Sequence, residues 1–224
     1  MPTPVNALAV MAKAPVAGSV KTRLVPPLSE RQAAEFSRAL LVDLLGHVQR
    51  LRVAQHYLFF APDHAAEPMA ELAGGQFQLL AQRGDDLGAR MQAVFGELWA
   101  RGHRRIVLIG GDLPVFPLDF LEQAFAWLDT AAARVVLGPS RDGGYYLIGM
   151  NRLAPEIFSD MTWSHDKVLR ETLRKINAMN LEALQLPPWF DVDTPADLVE
   201  MRHLVRAGEE SMKNTADVLR RMNF

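Results

Sequence analysis

Three cations lie close together in one short segment near the N-terminus: Lys13, Lys21 and Arg23, accompanied by Gly18. Ammonium and guanidinium groups beside a flexible backbone suit a diphosphate or triphosphate, because side chains and backbone N–H groups can share its charge. The spacing is not that of a Walker A loop, which disfavours a P-loop nucleotide hydrolase. The segment therefore predicts a phosphate-binding loop, with a solvated basic loop as the alternative.

Two acidic segments carry residue types that bind a divalent metal. Asp112 follows an apolar run within Gly-Gly-Asp-Leu-Pro, and Asp191 and Asp193 are separated by one residue. Hard cations such as Mg²⁺ or Mn²⁺ take oxygen ligands and keep room for phosphate oxygens. In an extended backbone, Asp191 and Asp193 would share one face and complete a site begun by Asp112. The alternative is structural, because aspartates before a helix also cap or stabilise its first turn.

Two turn segments supply further candidates for ligand contacts: Asp142, Gly143, Gly144 and Tyr145 in one, and Asp86 and Gly88 in the other. The first turn would orient a sugar or an acceptor hydroxyl, or form only a tight hairpin turn. The second would border a base or ribose, or form only the capped start of a helix. His165 stands beside an aspartate, a setting more typical of a structural histidine than of a general base.

Alternating strands and helices must position these candidates. Short apolar or aromatic runs predict strands at 6–12, 55–61, 77–81, 106–109, 134–137, 145–150 and 181–186. Helical spacing predicts helices at 33–48, 65–72, 87–98, 120–128, 167–179 and 195–205, the first preceded by a capping box at Ser29 and Gln32. This alternation predicts a three-layer α/β/α domain with a mostly parallel twisted sheet. Ligands in such folds bind beyond the carboxyl ends of the strands, where the basic and acidic segments lie.

Composition limits the classes of function. The chain has 224 residues, 49% of them hydrophobic, which suits one α/β domain. Its formal net charge of −2 offers no broad basic field for nucleic acid or an anionic membrane. It has no cysteine, no targeting pattern at its N-terminus and no apolar run near the ~20 residues of a membrane span. We expect a cytoplasmic protein with one domain over 1–208 and a peripheral helical tail, 209–224. The sequence does not decide whether the protein is a monomer or a homo-oligomer.

Five segments, in chain order, resemble the DUF2064 family, also called radical-SAM/selenodomain-associated transferase 1: Lys13-Ala14-Pro15 to Lys21-Thr22-Arg23-Leu24, Asp86-Leu87-Gly88-Ala89-Arg90-Met91, Gly111-Asp112-Leu113-Pro114, Gly138-Pro139 to Asp142-Gly143-Gly144-Tyr145-Tyr146-Leu147-Ile148-Gly149, and Asp191-Val192-Asp193-Thr194-Pro195-Ala196-Asp197-Leu198. The resemblance implies the GT-A-like fold of nucleotide-diphospho-sugar transferases, with molybdenum-cofactor and phospholactate guanylyltransferases as more distant relatives. It also implies that Asp112 and Asp193 hold the metal, that segment 13–23 holds phosphates and that segment 142–144 lines the acceptor side.

The sequence leaves three functions open. A metal-dependent glycosyltransferase would use a nucleoside diphosphate-sugar, and the Asp-x-Asp pattern and the family resemblance favour it. A nucleotidyltransferase would join a nucleoside triphosphate to a phosphorylated acceptor, and the dense cationic segment favours it. A non-catalytic nucleotide-binding protein would not need acids and bases at strand ends. We predict a transferase acting on a nucleotide-activated donor and a small-molecule acceptor, with glycosyl transfer ahead of nucleotidyl transfer and with Asp112, Asp142 and Asp193 as catalytic residues.

Overall fold

Seven strands form a single sheet in the computed structural model, which describes residues 5–206 and 210–222. In chain order they are β1 (Asn6–Lys13), β2 (Gln55–Ala61), β3 (Gln78–Ala81), β4 (Arg105–Gly110), β5 (Arg134–Pro139), β6 (Tyr145–Met150) and β7 (Glu182–Gln185). Across the sheet the order is β3-β2-β1-β4-β6-β5-β7, and β6 runs antiparallel to both of its neighbours. The other pairs are parallel, which confirms the predicted mostly parallel sheet.

The described residues form seven α-helices: α1 (Glu30–Val48), α2 (Ala66–Ala73), α3 (Leu87–Ala100), α4 (Leu118–Leu128), α5 (Val168–Ala178), α6 (Pro195–Arg206) and α7 (Lys213–Arg221). Leu8 and Val10 of β1 pack on the side of α1, α2 and α4, whereas Ala7 and Ala9 pack on the side of α3 and α5. Because both faces of the central strands β1 and β4 are covered, the interior positions of these two strands are apolar. The predicted α/β/α layering is confirmed. None of these helices is long and apolar enough to cross a membrane.

The pairing of β1 with β4 brings two candidate segments to one edge of the sheet. Met11 lies opposite Gly110, so the loops that follow these two strands leave the sheet side by side. The backbone N–H of Gly111 donates to the carbonyl oxygen of Met11 at 2.8 Å. A side chain at Gly111 would collide with its neighbour, because an added Cβ would lie 2.7 Å from the Cβ of Ala12. β6 begins at this same edge because it runs in the opposite direction.

The helix starts decide between roles that the sequence left open. Ser29 and Gln32 form the predicted capping box of α1. The Asp86 carboxylate caps α3 by accepting a backbone N–H three residues further on, at 2.8 Å. α4 begins after Pro117 without a side-chain cap. Asp112 is therefore not the cap of the helix that follows it, and its carboxylate serves another purpose.

A buried carboxylate docks α7 on α1. Asp43 of α1 is 5% exposed and accepts hydrogen bonds from the backbone N–H and the side chain of both Asn214 and Thr215 at 2.7–3.1 Å. Val218 and Leu219 of α7 are buried in the same apolar cluster as residues of α1. The predicted tail helix is present as α7, and its polar start and its apolar face both pack on α1. The predicted boundary between 208 and 209 lies outside the described residues.

Replacing Asp43 with alanine should destabilise the protein and loosen α7. The change leaves four donors without their common acceptor, and we expect a loss of about 2–4 kcal/mol in the free energy of unfolding. Urea unfolding followed by tryptophan fluorescence measures this loss. The control is Glu71→Ala at an exposed position of α2, which should change the free energy by less than about 0.5 kcal/mol. Equal effects of the two changes would show that Asp43 does not dock the helix.

Candidate functional site

A cavity of about 660 Å³ opens at the edge of the sheet where β1 and β4 end. Its walls come from the loops after β1, β3 and β4, from the start of β6 and from segments 163–165 and 191–193. Nine of the predicted site residues line it: Lys13, Lys21, Arg23, Asp86, Asp112, Asp142, Gly144, Tyr145 and Asp193. Three predicted glycines do not line it: Gly18, Gly88 and Gly143. The fold therefore gathers candidates from five separate segments around one space.

Lys21 lies at the charged end of this cavity, between two carboxylates. Its Nζ is 2.7 Å from Oδ1 of Asp112 and 3.1 Å from Oδ1 of Asp193, and its side chain is 1% exposed. Burial acts to lower the pKa of Lys21, but the charges of Asp112 and Asp193 outweigh burial and place that pKa above its ordinary value. The ammonium group therefore stays charged and holds the two carboxylates together. The sequence predicts a phosphate contact for Lys21, and the structure gives it these carboxylate partners.

The backbone around Lys21 accounts for its inward position. Lys21 adopts a left-handed conformation with φ 50°, directly before the short 3-10 turn Thr22–Leu24. Leu24 is fully buried in the apolar cluster that includes Phe36 of α1, and Val20 is buried on the other side of the lysine. These two anchors hold the Lys21 side chain inside the protein, beneath the carboxylates.

The segment after β7 supplies Asp193, and a different aspartate stabilises the start of α6. The Asp197 carboxylate accepts the backbone N–H groups of Asp193 and Thr194 at 3.0 and 2.7 Å, and the Thr194 hydroxyl at 2.8 Å. The Asp193 carboxylate is directed at Lys21 instead. The helix-start alternative therefore applies to Asp197, and the Asp193 carboxylate belongs to the charged end of the cavity.

Asp191 has a separate partner. Its Oδ2 accepts a hydrogen bond from the Ser140 hydroxyl at 3.0 Å. Burial, followed by the nearby charge of Asp193, raises the pKa of Asp191 to about 7. The Asp-x-Asp pattern therefore places one carboxylate on Lys21 and the other on Ser140, rather than both on a common partner. The sequence grouped Asp191 with Asp193 in a possible metal site, and only the tertiary structure shows that Asp191 has Ser140 as its own partner.

The donor set at the charged end suits a metal that arrives with phosphates. Within the described ranges, no group of three or more His, Cys, Asp or Glu side chains is arranged to hold a metal ion. The side chains of Asp112 and Asp193 are 58% and 42% exposed, so both carboxylates are accessible from the cavity. Mg²⁺ commonly takes one or two carboxylates and completes its shell with water and phosphate oxygens. A pair of carboxylates fits that pattern, whereas a permanent structural ion would need more protein ligands than these two.

The other two cations of segment 13–23 differ from Lys21 in their exposure. Lys13 ends β1 and Arg23 lies in the 3-10 turn, and both are exposed at the cavity. Gly18 has φ 76° and lies beside Glu30, where it shapes the loop without lining the cavity. Lys13 and Arg23 are therefore the cations that a ligand phosphate can reach directly.

The start of α3 forms a second wall. Asp86 lines the cavity while it caps the helix. Gly88 faces another part of the protein, where an added Cβ would lie 2.8 Å from the carbonyl oxygen of Phe158 and 2.9 Å from the Trp163 ring. Gly88 thus permits close packing of α3 on Trp163, which itself lines the cavity. Gln82 also lines the cavity, and its amide donates to the Ala12 carbonyl at 3.1 Å.

The turn between β5 and β6 forms another wall of the cavity. The Asp142 carboxylate accepts the backbone N–H of Gly144 at 2.9 Å, and Gly143 has φ 90°. A side chain at Gly143 would collide with the backbone carbonyl of Asp166. The backbone here is the hairpin turn that the sequence offered as an alternative, while Asp142, Gly144 and Tyr145 still line the cavity.

His165 lines the cavity but is tied to its own loop. Its Nδ1 accepts the backbone N–H of Lys167 at 3.1 Å, and its Nε2 lies 2.9 Å from the Thr162 hydroxyl and 3.0 Å from the Thr162 carbonyl oxygen. Both ring nitrogens therefore have local partners. This geometry agrees with the structural role that the sequence indicates for His165.

Comparisons with known proteins agree with the observed fold. The family model described as "Uncharacterized protein conserved in bacteria (DUF2064)" matches residues 44–165. The crystal structure of a "putative nucleotide-diphospho-sugar transferase" from Desulfovibrio desulfuricans G20 is 32% identical, with a TM-score of 0.89, and the match covers 97% of this chain and 95% of that one. A cytidylyltransferase from Leptospira borgpetersenii is 12% identical with a TM-score of 0.64, over 98% of this chain and 94% of that one, and shares the fold. The predicted GT-A-like fold is confirmed.

Curated relatives carry a more specific name. The phosphoenolpyruvate guanylyltransferase of Conexibacter woesei is 24% identical over 208 residues, which cover 90% of this chain and 90% of that protein. The phosphoenolpyruvate guanylyltransferase of Mycobacterium leprae is 29% identical over 196 residues, which cover 83% of this chain and 84% of that protein. Both relatives are matched over most of their length.

Asp191 should make the stability of the ligand-free protein depend on pH. Between the ordinary range of an aspartate and about pH 7, the folded protein keeps a proton on Asp191 that the unfolded chain has lost, so stability falls as pH rises. Asp191→Asn resembles the protonated form. The melting temperature of D191N should exceed that of the wild type by an amount that grows from about pH 5 to about pH 7 and is constant above about pH 8.

Ser140→Ala provides the matched comparison for this pH series. It removes the hydroxyl that stabilises the charged form of Asp191, so stability should continue to fall to a higher pH than in the wild type. Differential scanning calorimetry across the pH series measures both effects. A difference between D191N and the wild type that does not change with pH would contradict the raised pKa of Asp191.

Proposed function

This chain belongs to the DUF2064 family, and from that membership and the charges of its cavity we propose that it is a nucleotidyltransferase. It would join the nucleoside monophosphate part of a nucleoside triphosphate to a phosphorylated small molecule. One observation carries the proposal: three cations, Lys13, Lys21 and Arg23, line the same cavity as Asp112 and Asp193. The relatives place the enzyme among the transferases that use nucleotides, and those named guanylyltransferases make GTP the first donor to test.

The proposed reaction is a displacement at phosphorus. A phosphate oxygen of the acceptor attacks the α-phosphorus of the triphosphate, the bond from that phosphorus to the α–β bridging oxygen breaks, and pyrophosphate leaves with the electron pair. Negative charge grows on the leaving pyrophosphate during this step. The exposed side chains of Lys13 and Arg23 would hold the β- and γ-phosphates and stabilise that charge.

The carboxylate pair has a place in this proposal. Asp112 and Asp193 would hold Mg²⁺ or Mn²⁺, because both are accessible from the cavity and both are hard oxygen ligands. A cation bound there would neutralise phosphate charge and so favour attack at phosphorus. Lys21 holds the two carboxylates close together before any ligand binds.

The other walls of the cavity offer surfaces for the base and ribose of the nucleotide and for the acceptor. Leu87, at the start of α3, is 45% exposed and lines the cavity beside Asp86, which gives an apolar surface and a carboxylate to a base and ribose. Asp142, Gly144 and Tyr145 lie on another wall and would border the acceptor. The phosphates would then lie between these walls, over the charged end.

Glycosyl transfer is the second candidate, favoured by the 32% identical relative named for nucleotide-diphospho-sugar transfer. In that reaction an acceptor hydroxyl would attack the anomeric carbon, and a nucleoside diphosphate would leave. The separation of Asp191 from Asp193 weighs against it, because the Asp-x-Asp pattern that favoured glycosyl transfer does not act as one pair here. Both reactions place nucleotide phosphates at the same end of the cavity.

Product analysis should separate these two reactions. We expect pyrophosphate release from a nucleoside triphosphate, GTP first, in the presence of Mn²⁺ and a set of phosphorylated acceptors that includes phosphoenolpyruvate. Arg23→Ala should weaken binding of the triphosphate by roughly 10-fold or more, or about 1.5–3 kcal/mol, and leave binding of the nucleoside nearly unchanged. Chromatography of the products and calorimetry of nucleotide binding measure the two effects.

Arg31→Ala is the matched control, because Arg31 is an exposed cation of α1 that does not line the cavity. This variant should bind the triphosphate like the wild type. Release of a nucleoside diphosphate from a nucleotide-sugar, without turnover of any triphosphate, would favour glycosyl transfer. If Arg23→Ala and Arg31→Ala both bind the triphosphate like the wild type, then Arg23 does not contact its phosphates.

A further inference from the structure

The ammonium group of Lys21 occupies the position that a metal ion bound by both Asp112 and Asp193 would take. One oxygen of each carboxylate, Oδ1, already accepts from Lys21 at 2.7 and 3.1 Å. The lysine side chain is 1% exposed, so water does not screen its charge as it would at the surface. A dication placed on these carboxylates would therefore lie close to a buried positive charge.

The same ammonium removes part of the attraction that the carboxylates would exert on a cation. With Lys21 in place, the group of Lys21, Asp112 and Asp193 carries a net charge of about −1 instead of −2, because one of the two negative charges is compensated. Two carboxylates are few ligands for a hard cation even without this loss. The ligand-free site is thus poorly suited to a metal ion alone.

Nucleotide phosphates would change this balance in two ways. They bring negative charge next to both the ammonium and the cation, and they add oxygen ligands to the incomplete shell. An ammonium group has three donors, so Lys21 can turn toward a phosphate oxygen while its stem stays in place. Lys13 and Arg23 line the same cavity and would draw the phosphates to this end.

We propose that Lys21 is a positioning residue that keeps the Asp112–Asp193 pair closed to divalent cations until nucleotide phosphates bind. Metal and nucleotide then bind cooperatively, and the enzyme does not take up metal in advance of its substrate. The inference rests on the proposed function, since it requires nucleotide phosphates at this end of the cavity. It assigns to Lys21 an effect on metal affinity that an ordinary phosphate-binding lysine would not have.

A structural ion pair would behave differently. If Lys21 only joined the loop after β1 to the segments that hold Asp112 and Asp193, its replacement would loosen the carboxylates and weaken metal binding. If Lys21 closes the site, replacement with an uncharged side chain of similar length should strengthen metal binding in the absence of nucleotide. The sign of the change separates the two roles.

The experiment is a calorimetric titration of the full chain with Mn²⁺, without nucleotide and with a non-hydrolysable GTP analogue. The variants are Lys21→Met, Lys21→Gln and, as the matched control, Lys13→Met, which removes a cation of the same cavity that has no contact with the carboxylates. Without nucleotide, both Lys21 variants should bind Mn²⁺ at least tenfold more tightly than the wild type, and Lys13→Met should match the wild type. The analogue should tighten Mn²⁺ binding at least tenfold in the wild type and much less in the Lys21 variants.

A double variant and an NMR measurement complete the experiment. The double variant Lys21→Met with Asp112→Asn should lose the gain in Mn²⁺ affinity, which shows that the ion binds at the carboxylates. If the Lys21 variants do not fold, ¹⁵N NMR of the lysine Nζ groups in the wild type replaces them, and the Lys21 signal must shift when Mg²⁺ and the analogue are added together.

Lys21 variants that bind Mn²⁺ no more tightly than the wild type, or a Lys21 signal that does not move, would overturn the proposal. Failure of the wild type to bind the analogue would count against the proposed function, while the titration without nucleotide still decides whether Lys21 closes the site.

Discussion

The contact of one buried ammonium group with two carboxylates holds together the segments that form the charged end of the cavity. Lys21, Asp112 and Asp193 come from the loops after β1, β4 and β7, and Lys21 and Asp193 are 172 residues apart in the chain. Each partner depends on the others, because a buried lysine without a carboxylate is costly and two adjacent carboxylates without a cation repel each other. The rest of the structure can be understood as the means of bringing these three segments to one place.

The sheet provides that means. β1 and β4 are parallel neighbours, so their following loops leave the same edge, and the close fit of Gly111 on Ala12 brings the two loops into contact there. β6 runs in the opposite direction between β4 and β5, so it begins at the edge where the parallel strands end. The turn before β6 therefore brings Asp142 to the cavity that the start of α3 also lines. A fully parallel sheet would have placed that turn at the other edge.

The architecture could be predicted from the sequence because its signals are local. Apolar runs gave the strands, helical spacing gave the helices, and the capping box and the Asp86 cap marked two helix starts. Parallel strands covered on both faces then place the loops with charged residues at one edge. The docking of α7 escaped prediction, because it depends on a single carboxylate, Asp43, far away in the chain.

The site could be predicted as a set of residues but not as a set of contacts. Sequence patterns predicted cations and carboxylates at strand ends, and most of these residues line the cavity. The contacts between individual charged groups depend on long-range packing: Lys21 lies between two buried neighbours, Val20 and Leu24, and Asp191 accepts a hydrogen bond from Ser140. The roles of these residues toward a ligand remain predictions.

A crystal structure with Mn²⁺ and a non-hydrolysable nucleoside triphosphate tests the central claim most directly, namely that this charged cluster is the phosphate end of a nucleotide site. The anomalous signal of manganese locates the ion independently of the ligand. We predict an ion bound by Asp112 and Asp193, phosphates along the loop with Lys13 and Arg23, and the Lys21 ammonium in contact with a phosphate oxygen. A triphosphate bound elsewhere, with Lys21 still between the two carboxylates, would contradict the account.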